Sequence, residues 1–134
     1  MRARQRRERA APTSCMLWGG ETTVTLGNGL TGRGGRSQEL ALAAARVLGD
    51  AGAAANGIAL LAAGTDGRDG PTDAAGAMVS GSTWDAIARA GGNPAAALAR
   101  HDAYNALARA GALVRTGPTG TNVMDVVIGV VGDA

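Results

Sequence analysis

Alanine and glycine dominate this chain: 30 Ala and 22 Gly account for 52 of its 134 residues. Because such side chains fill little space, a core built from them depends on close approach of backbones. Phe is absent, and Trp18, Trp84 and Tyr104 are the only aromatic residues, of which the last two are predicted to lie in the core. The length suits one domain with a single core.

Segments with strand and helix patterns alternate along the chain. Apolar or alternating stretches predict strands, and apolar residues at helical spacing predict helices. The alternation predicts a single α/β domain, a layered mixed β-sheet with flanking helices. The predicted strands cover residues 15–18, 22–26, 58–63, 77–80, 113–115 and 126–131, and the predicted helices begin at Ser37, Ser82, Pro94 and Asp102.

The positive charge is confined to the first residues. Residues 1–9 contain five Arg and one Glu, whereas the other 125 residues contain eight Arg and ten acids. We expect residues 1–11 to be a disordered Arg-rich leader and residues 12–134 to form the domain. The leader could instead bind nucleic acid, but no aromatic residue interrupts it and the remainder is acidic, so we predict no nucleic-acid partner.

Several protein classes are excluded by residues that are missing or rare. The absence of Lys excludes a Walker phosphate loop and a Schiff-base enzyme, and the lone Cys15 and His101 exclude a disulfide framework and a Cys/His zinc site. Cys15 is expected to be a buried thiol and His101 to face solvent. The longest uncharged stretch has fifteen residues, too few for a membrane span of about 20. With no secretory signal, we expect a cytoplasmic protein without a membrane partner.

Three glycine-rich loops follow predicted strands: residues 27–39, 63–76 and 116–122. Glycine lets backbone N–H groups approach an anion closely, and such loops gather at one edge of an α/β sheet. This recurrence predicts a site for a phosphate or carboxylate ligand. The alternative is that the Gly, Thr and Asp residues are ordinary turn residues.

The first loop contains Arg36, preceded by Gly34 and Gly35, at the start of a predicted helix. A guanidinium there would meet an anion together with backbone N–H groups, although Arg36 could simply pair with Glu39. The segment Gly27–Gly32 also fits the G-x-G-x-x-G dinucleotide pattern. However, the preceding segment alternates in polarity and the helix begins well after the motif. The match is therefore weak support for binding of a nicotinamide dinucleotide.

The second loop contains Asp66, Asp69 and Asp73 together with Thr65. Carboxylates beside an apolar strand suit a hydrated Mg²⁺ or a base for a hydroxyl group. Asp66 lies nearest the strand end and is the candidate metal ligand. The alternative is turn formation around the glycines and Pro71.

Longer motifs resemble one protein family. The segments GGETTVTL, GRGGRSQELALA, LLAAGTDGRDGPTDAAGA, HDAYNAL and TGPTGTNVMDVVI occur in this order over about residues 12–131. They resemble the MOFRL domain, the C-terminal part of class II glycerate 2-kinases, which have also been named hydroxypyruvate reductases.

The resemblance implies phosphoryl transfer from ATP to the 2-hydroxyl of D-glycerate with Mg²⁺. It implies catalytic roles for Arg36 and Asp66 in a cleft between this domain and an N-terminal kinase domain, which is expected to be absent here and to supply a catalytic lysine. The chain is therefore expected to be incomplete as an enzyme. The alternatives are a non-catalytic module for small anions or nucleotides, and the hydroxypyruvate reductase. The expected substrate- or phosphate-binding residues are Glu21, Gly34, Gly35, Thr65, Asp69, Asp73, Thr119, Thr121 and Asn122.

The sequence departs from the family pattern at four positions. Ser37, His101 and Met124 stand where the family usually has Asn, and Trp18 replaces a small residue before Gly19.

Overall fold

A computed structural model of the chain describes residues 13–29 and 31–133; the predicted leader lies outside them. The described residues form five β-strands, four α-helices and one short 3-10 helix. In chain order these are β1 (Ser14–Gly20), α1 (Arg36–Ala51), the 3-10 helix (Gly52–Ala55), β2 (Ile58–Gly64), β3 (Gly76–Ser80), α2 (Thr83–Arg89), α3 (Pro94–Ala99), α4 (Ala103–Arg109), β4 (Leu113–Val114) and β5 (Asp125–Val131).

The five strands form one sheet in the order β1-β5-β2-β3-β4. The layered α/β fold is confirmed, but every pairing in the sheet is antiparallel, so the expectation of a mixed sheet was wrong. The reason is the position of β5, which inserts between β1 and β2 and runs antiparallel to both. The crossover through α1 therefore joins two parallel strands that are not neighbours.

The helices cover one face of the sheet, with α1 packed on β2 and β3. The largest fully buried apolar side chains are Leu42, Ile87, Leu107 and Val79, and alanines fill much of the space between them. Backbones approach closely here: a Cβ on Gly76 would overlap the carbonyl oxygen of Ala62. Gly76 thus allows β2 and β3 to approach closely, and buried alanines of α1 such as Ala41 and Ala45 belong to the same core.

The other face of the sheet carries an apolar row across four strands. Leu17 pairs with Ile128, Ile128 with Leu61, and Leu61 with Met78. The outer members of the row are exposed, Leu17 by 68% and Met78 by 58%. Cys15 is also exposed, so the expectation of a buried thiol was wrong, because β1 is an edge strand beyond the reach of the helices.

Most predicted elements are observed, with local corrections. Residues 22–26 form no strand, since no strand of the sheet pairs with them. Asn93 caps α3 through its side chain, whereas Ser82 makes no side-chain cap for α2 and Asp102 none for α4. Trp84 is partly buried and Tyr104 buried, as predicted. Among the described residues, no helix has both the length and the apolar character that a membrane crossing requires.

Candidate functional site

A cleft of about 710 Å³ opens between the first loop, the second loop and residues 100–102, which connect α3 to α4 and are called the α3–α4 corner. Six of the residues predicted for the site line it, together with charged residues that the sequence reasoning did not select. The predicted members are Glu21, Gly34, Gly35, Arg36, Asp66 and Asp69, and the added charged or ionisable ones are Glu39, Arg68 and His101.

Arg36 begins α1 and holds two carboxylates. Its Nε and Nη2 donate to the two oxygens of Asp125 at 2.6 and 3.1 Å, and its Nη1 donates to Glu21 at 2.5 Å. The hydrogen bond to Asp125 holds the pKa of Arg36 above its ordinary value. Arg36 does not pair with Glu39, and its side chain remains 39% exposed. These two carboxylates more than offset the single positive charge of the guanidinium, so a ligand anion would bind Arg36 through the N–H groups that they leave free.

Asp69 serves as a long-range cap for α1. Its carboxylate accepts hydrogen bonds from the backbone N–H groups of Ser37 and Gln38 at 3.0 and 2.8 Å. Burial raises the pKa of Asp69, and these two hydrogen bonds oppose the rise. Gly35 permits this approach, since a Cβ there would overlap the Asp69 side chain. The helix N-terminus predicted to receive an anion is thus occupied by a carboxylate of the protein itself.

Asp66 keeps more of its carboxylate free. Oδ1 accepts from the backbone N–H of Arg68 at 3.0 Å, which is the local turn bond considered as the alternative. No residue in the described ranges bonds Oδ2. The side chain is half-buried and lines the cleft, so one carboxylate oxygen is available to a ligand or ion.

The third loop supports the base of the second loop instead of lining the cleft. Thr119 Oγ1 donates to the carbonyl of Thr65 at 2.6 Å, and Thr65 Oγ1 donates to the carbonyl of Met124 at 2.7 Å. The Thr121 N–H donates to Thr119 Oγ1, and Asn122 Oδ1 accepts from the N–H of Met124. Thr119 and the side-chain oxygen of Asn122 therefore bond within the loop and to the strand end, and Thr121 takes part through its backbone.

Asp73 lies at the far end of the second loop in a separate polar cluster. Tyr104 Oη donates to Asp73 Oδ1 at 2.7 Å, and Arg115 Nε donates to Oδ2 at 3.0 Å. The Tyr104 hydrogen bond lowers the pKa of Asp73, and Arg115 adds to that effect. Arg33 stacks on the Tyr104 ring at 4.0 Å from its centroid. The structure places Asp73 outside the cleft lining.

Two of the cleft residues that were not predicted, Glu39 and His101, lie on α1 and at the α3–α4 corner. His101 Nδ1 lies 2.9 Å from Glu39 Oε1, and the two side chains are 24% and 20% exposed. The expectation that His101 faces solvent was therefore wrong. Helical periodicity places Glu39 one turn after Arg36, but no local signal brings a residue 62 positions away beside it.

The remaining sequence motif lacks the structural context that it requires. A dinucleotide fingerprint needs a strand directly before the glycines and a helix directly after them. Residues 21–29 contain no strand, and α1 begins only at Arg36. Among the residues that the structure describes, no three His, Cys, Asp or Glu side chains are grouped to hold a metal ion. Any ion at Asp66 would need further ligands from outside this set.

Comparison with known proteins places these features in one family's context. The sequence model of the MOFRL family matches residues 14–125. A D-glycerate 2-kinase from Thermotoga maritima is 50% identical over 119 residues, and a putative hydroxypyruvate reductase from Agrobacterium vitis is 47% identical over 117 residues. The alignments cover 88% and 87% of this chain.

A solved structure agrees with the sequence relatives. The crystal structure of glycerate kinase from Thermotoga maritima superposes with a TM-score of 0.80 at 49% identity, over 88% of this chain and 27% of that one. The two sequence relatives are likewise covered over only 27% and 26% of their lengths. The chain thus spans about a quarter of the proteins that it matches.

Proposed function

The chain belongs to the MOFRL family, and from this membership we propose that it forms the C-terminal part of a glycerate 2-kinase. The reaction would move a phosphoryl group from ATP to the 2-hydroxyl of D-glycerate. The rest of the active site would come from an N-terminal kinase domain, either fused or separate. The cytoplasm is the compartment that we expect.

The observation that carries this proposal is the shared cleft of Arg36 and Asp66. Phosphoryl transfer needs positioned charge more than covalent chemistry from the protein. Arg36 presents a guanidinium whose orientation is fixed by Asp125 and Glu21, and Asp66 presents one free carboxylate oxygen to the same space. We assign Arg36 to the substrate or a transferring phosphoryl group, and Asp66 to the reacting hydroxyl or to a bound ion.

Mg²⁺ fits Asp66 only as a shared ion. Magnesium in kinases is commonly held by one or two carboxylates, with phosphate oxygens and waters completing its shell. Asp66 offers Oδ2 for such an ion, and Asp69 is less suited because both of its oxygens accept from α1. When bound with ATP, the ion would neutralise phosphate charge, while Arg36 would hold the anion in place.

The test mixes this chain with the separately produced N-terminal part of the Thermotoga maritima relative and measures ATP-dependent formation of 2-phosphoglycerate. We expect Asp66→Asn to lower the rate by about 100-fold or more, and Arg36→Lys to lower it by about tenfold because the planar fork is lost. Asp85→Asn and Arg89→Ala, both on the exposed side of α2, are matched controls and should retain the full rate. Full activity of Asp66→Asn would refute the assignment.

The other two functions make different predictions. A hydroxypyruvate reductase would oxidise NADH with hydroxypyruvate, and the coil at residues 21–29 offers little support for a dinucleotide fold there. A non-catalytic anion module would bind phosphate or ATP without turnover in the mixed assay. The names of the relatives favour the kinase over both.

A further inference from the structure

Glu39 and His101 form a carboxylate–imidazole pair on the wall of the cleft. His101 Nδ1 lies 2.9 Å from Glu39 Oε1 and 3.0 Å from Oε2. Because an ionised carboxylate only accepts hydrogen bonds, the proton of a neutral ring belongs on Nδ1. Nε2 then keeps its lone pair, and within residues 13–29 and 31–133 no group bonds it. Both side chains line the cleft.

The backbone around His101 is held from both sides. The N–H of Gly32 donates to the carbonyl of Arg100 at 2.8 Å, and the N–H of Arg33 donates to Asp102 Oδ1 at 2.8 Å. Between these contacts His101 adopts a φ of 55°, in the left-handed region. The N–H groups of His101 and Asp102 donate to the carbonyls of Leu98 and Ala97, so this conformation is the ordinary C-terminal cap of α3. The imidazole position is thus set before a ligand arrives.

The neighbouring charges determine which ligand suits this acceptor. Arg36 and Arg68 line the same cleft together with the carboxylates of Glu21, Glu39, Asp66 and Asp69, so an anionic group of a ligand would have to lie against a guanidinium. A carboxylate or phosphate placed at Nε2 would bring a second acceptor to a nitrogen without a proton. A hydroxyl group, in contrast, can donate to Nε2. The complete set therefore suits a small molecule that carries both an acidic group and a hydroxyl.

We propose that His101 Nε2 accepts a hydrogen bond from the hydroxyl of a bound hydroxy acid, and so selects it over acids that lack the hydroxyl. Glu39 is a positioning residue in this arrangement, since it fixes the ring tautomer and orientation. The inference rests on the proposed function, because it concerns the substrate side of the same cleft. It adds a specificity-determining residue to Arg36 and Asp66.

The test uses nitrogen NMR of the whole chain, in which His101 is the only histidine and gives an unambiguous signal. D-glycerate and propanoate are the probes, because they share charge and carbon number and differ in their hydroxyl groups. We expect the free protein to show the Nδ1–H tautomer, and D-glycerate alone to shift the Nε2 signal. D-glycerate should also bind about tenfold more tightly than propanoate.

Two variants separate recognition from structure. His101→Gly tolerates the left-handed backbone and removes the acceptor, and Glu39→Gln keeps the size of the partner but relaxes the tautomer. Both should bring the affinity ratio of the two acids close to one, while backbone signals of Asp66 still respond to each acid.

Other results would overturn the inference. These are an Nε2–H tautomer, equal shifts of Nε2 by both acids, or an unchanged affinity ratio in His101→Gly. If no signal from the cleft responds to D-glycerate, the inference also fails, and the mixed phosphoryl-transfer assay decides the proposed function separately.

Discussion

The first half of the second loop contains Asp66, and its second half contains Asp69 and Asp73. The two halves carry the same residue type but differ in how many carboxylate oxygens already bond to other protein groups. In the first half, one carboxylate oxygen of Asp66 accepts a hydrogen bond within a turn, and the other remains available in the cleft. In the second half, Asp69 is 3% exposed and gives both oxygens to α1. Asp73 is tied to Tyr104 and Arg115. Partner count and burial, not residue type, separate structural acids from acids free to bind a ligand.

The largest expected effect comes from removing the Asp69 cap. Asp69→Ala leaves the first-turn N–H groups of Ser37 and Gln38 without their buried acceptor. The expected loss in the free energy of unfolding is about 3 kcal/mol, from an unmade cap and buried unpaired donors. Chemical denaturation followed by circular dichroism measures it.

Two further variants test whether the two halves of the second loop differ in their contribution to stability. Asp69→Asn retains one acceptor oxygen and should lose less stability than Asp69→Ala. Asp66→Asn, in the first half, should stay within about 0.5 kcal/mol of the parent chain. Equal losses for Asp69→Ala and Asp66→Asn would remove the distinction between the two halves.

The sequence predicts the layers of this fold better than the partners of its polar groups. Apolar runs such as residues 58–63 and the periodicity after Ser37 locate β2 and α1 to within a residue or two, because burial of one face leaves a local pattern. The antiparallel insertion of β5 between β1 and β2 leaves no such local pattern, since it depends on strand order.

Site residues divide in the same way. Local sequence sets Asp66 apart from Asp69 and Asp73 only by its place nearest the strand end. Long-range contacts to α1, Tyr104 and Arg115 show that Asp69 and Asp73 are bound by other protein groups. Asp125 and Glu39 were missed for the same reason, as their partners Arg36 and His101 lie far away in the chain. Residue type limits the candidate site residues to polar residues in the loops, but tertiary contacts determine which of these residues reach the cleft.

An intermediate effect on stability is expected at Met124, whose backbone supports the first half of the second loop. Met124 accepts two hydrogen bonds from Thr65 through its carbonyl, and it adopts a φ of 71°. This conformation is costly for Met and better tolerated by Asn. Because the Met124 side chain is half exposed, Met124→Asn should stabilise the fold by about 1 kcal/mol, seen as a higher melting temperature. Val123→Asn, at an exposed neighbour with ordinary backbone, is the control and should give no gain. If both variants raise the melting temperature, the cause is the added polar side chain on the surface and not the relief of backbone strain at Met124.

The smallest effect concerns pH, where the two acids of the second half should act in opposite directions. The pKa of Asp73 is lowered by Tyr104, so its contribution is complete above about pH 4 and is lost as pH falls through the folded-state value. The pKa of Asp69 is raised by burial, so its contribution is complete below about pH 4 and declines as pH rises through the folded-state value. Unfolding free energies between pH 3 and pH 7 should therefore show the parent's advantage over Asp73→Asn growing with pH. The advantage over Asp69→Asn should shrink across the same range. Parallel pH profiles for the two variants would mean that burial does not dominate at Asp69 and that the two acids share one electrostatic environment.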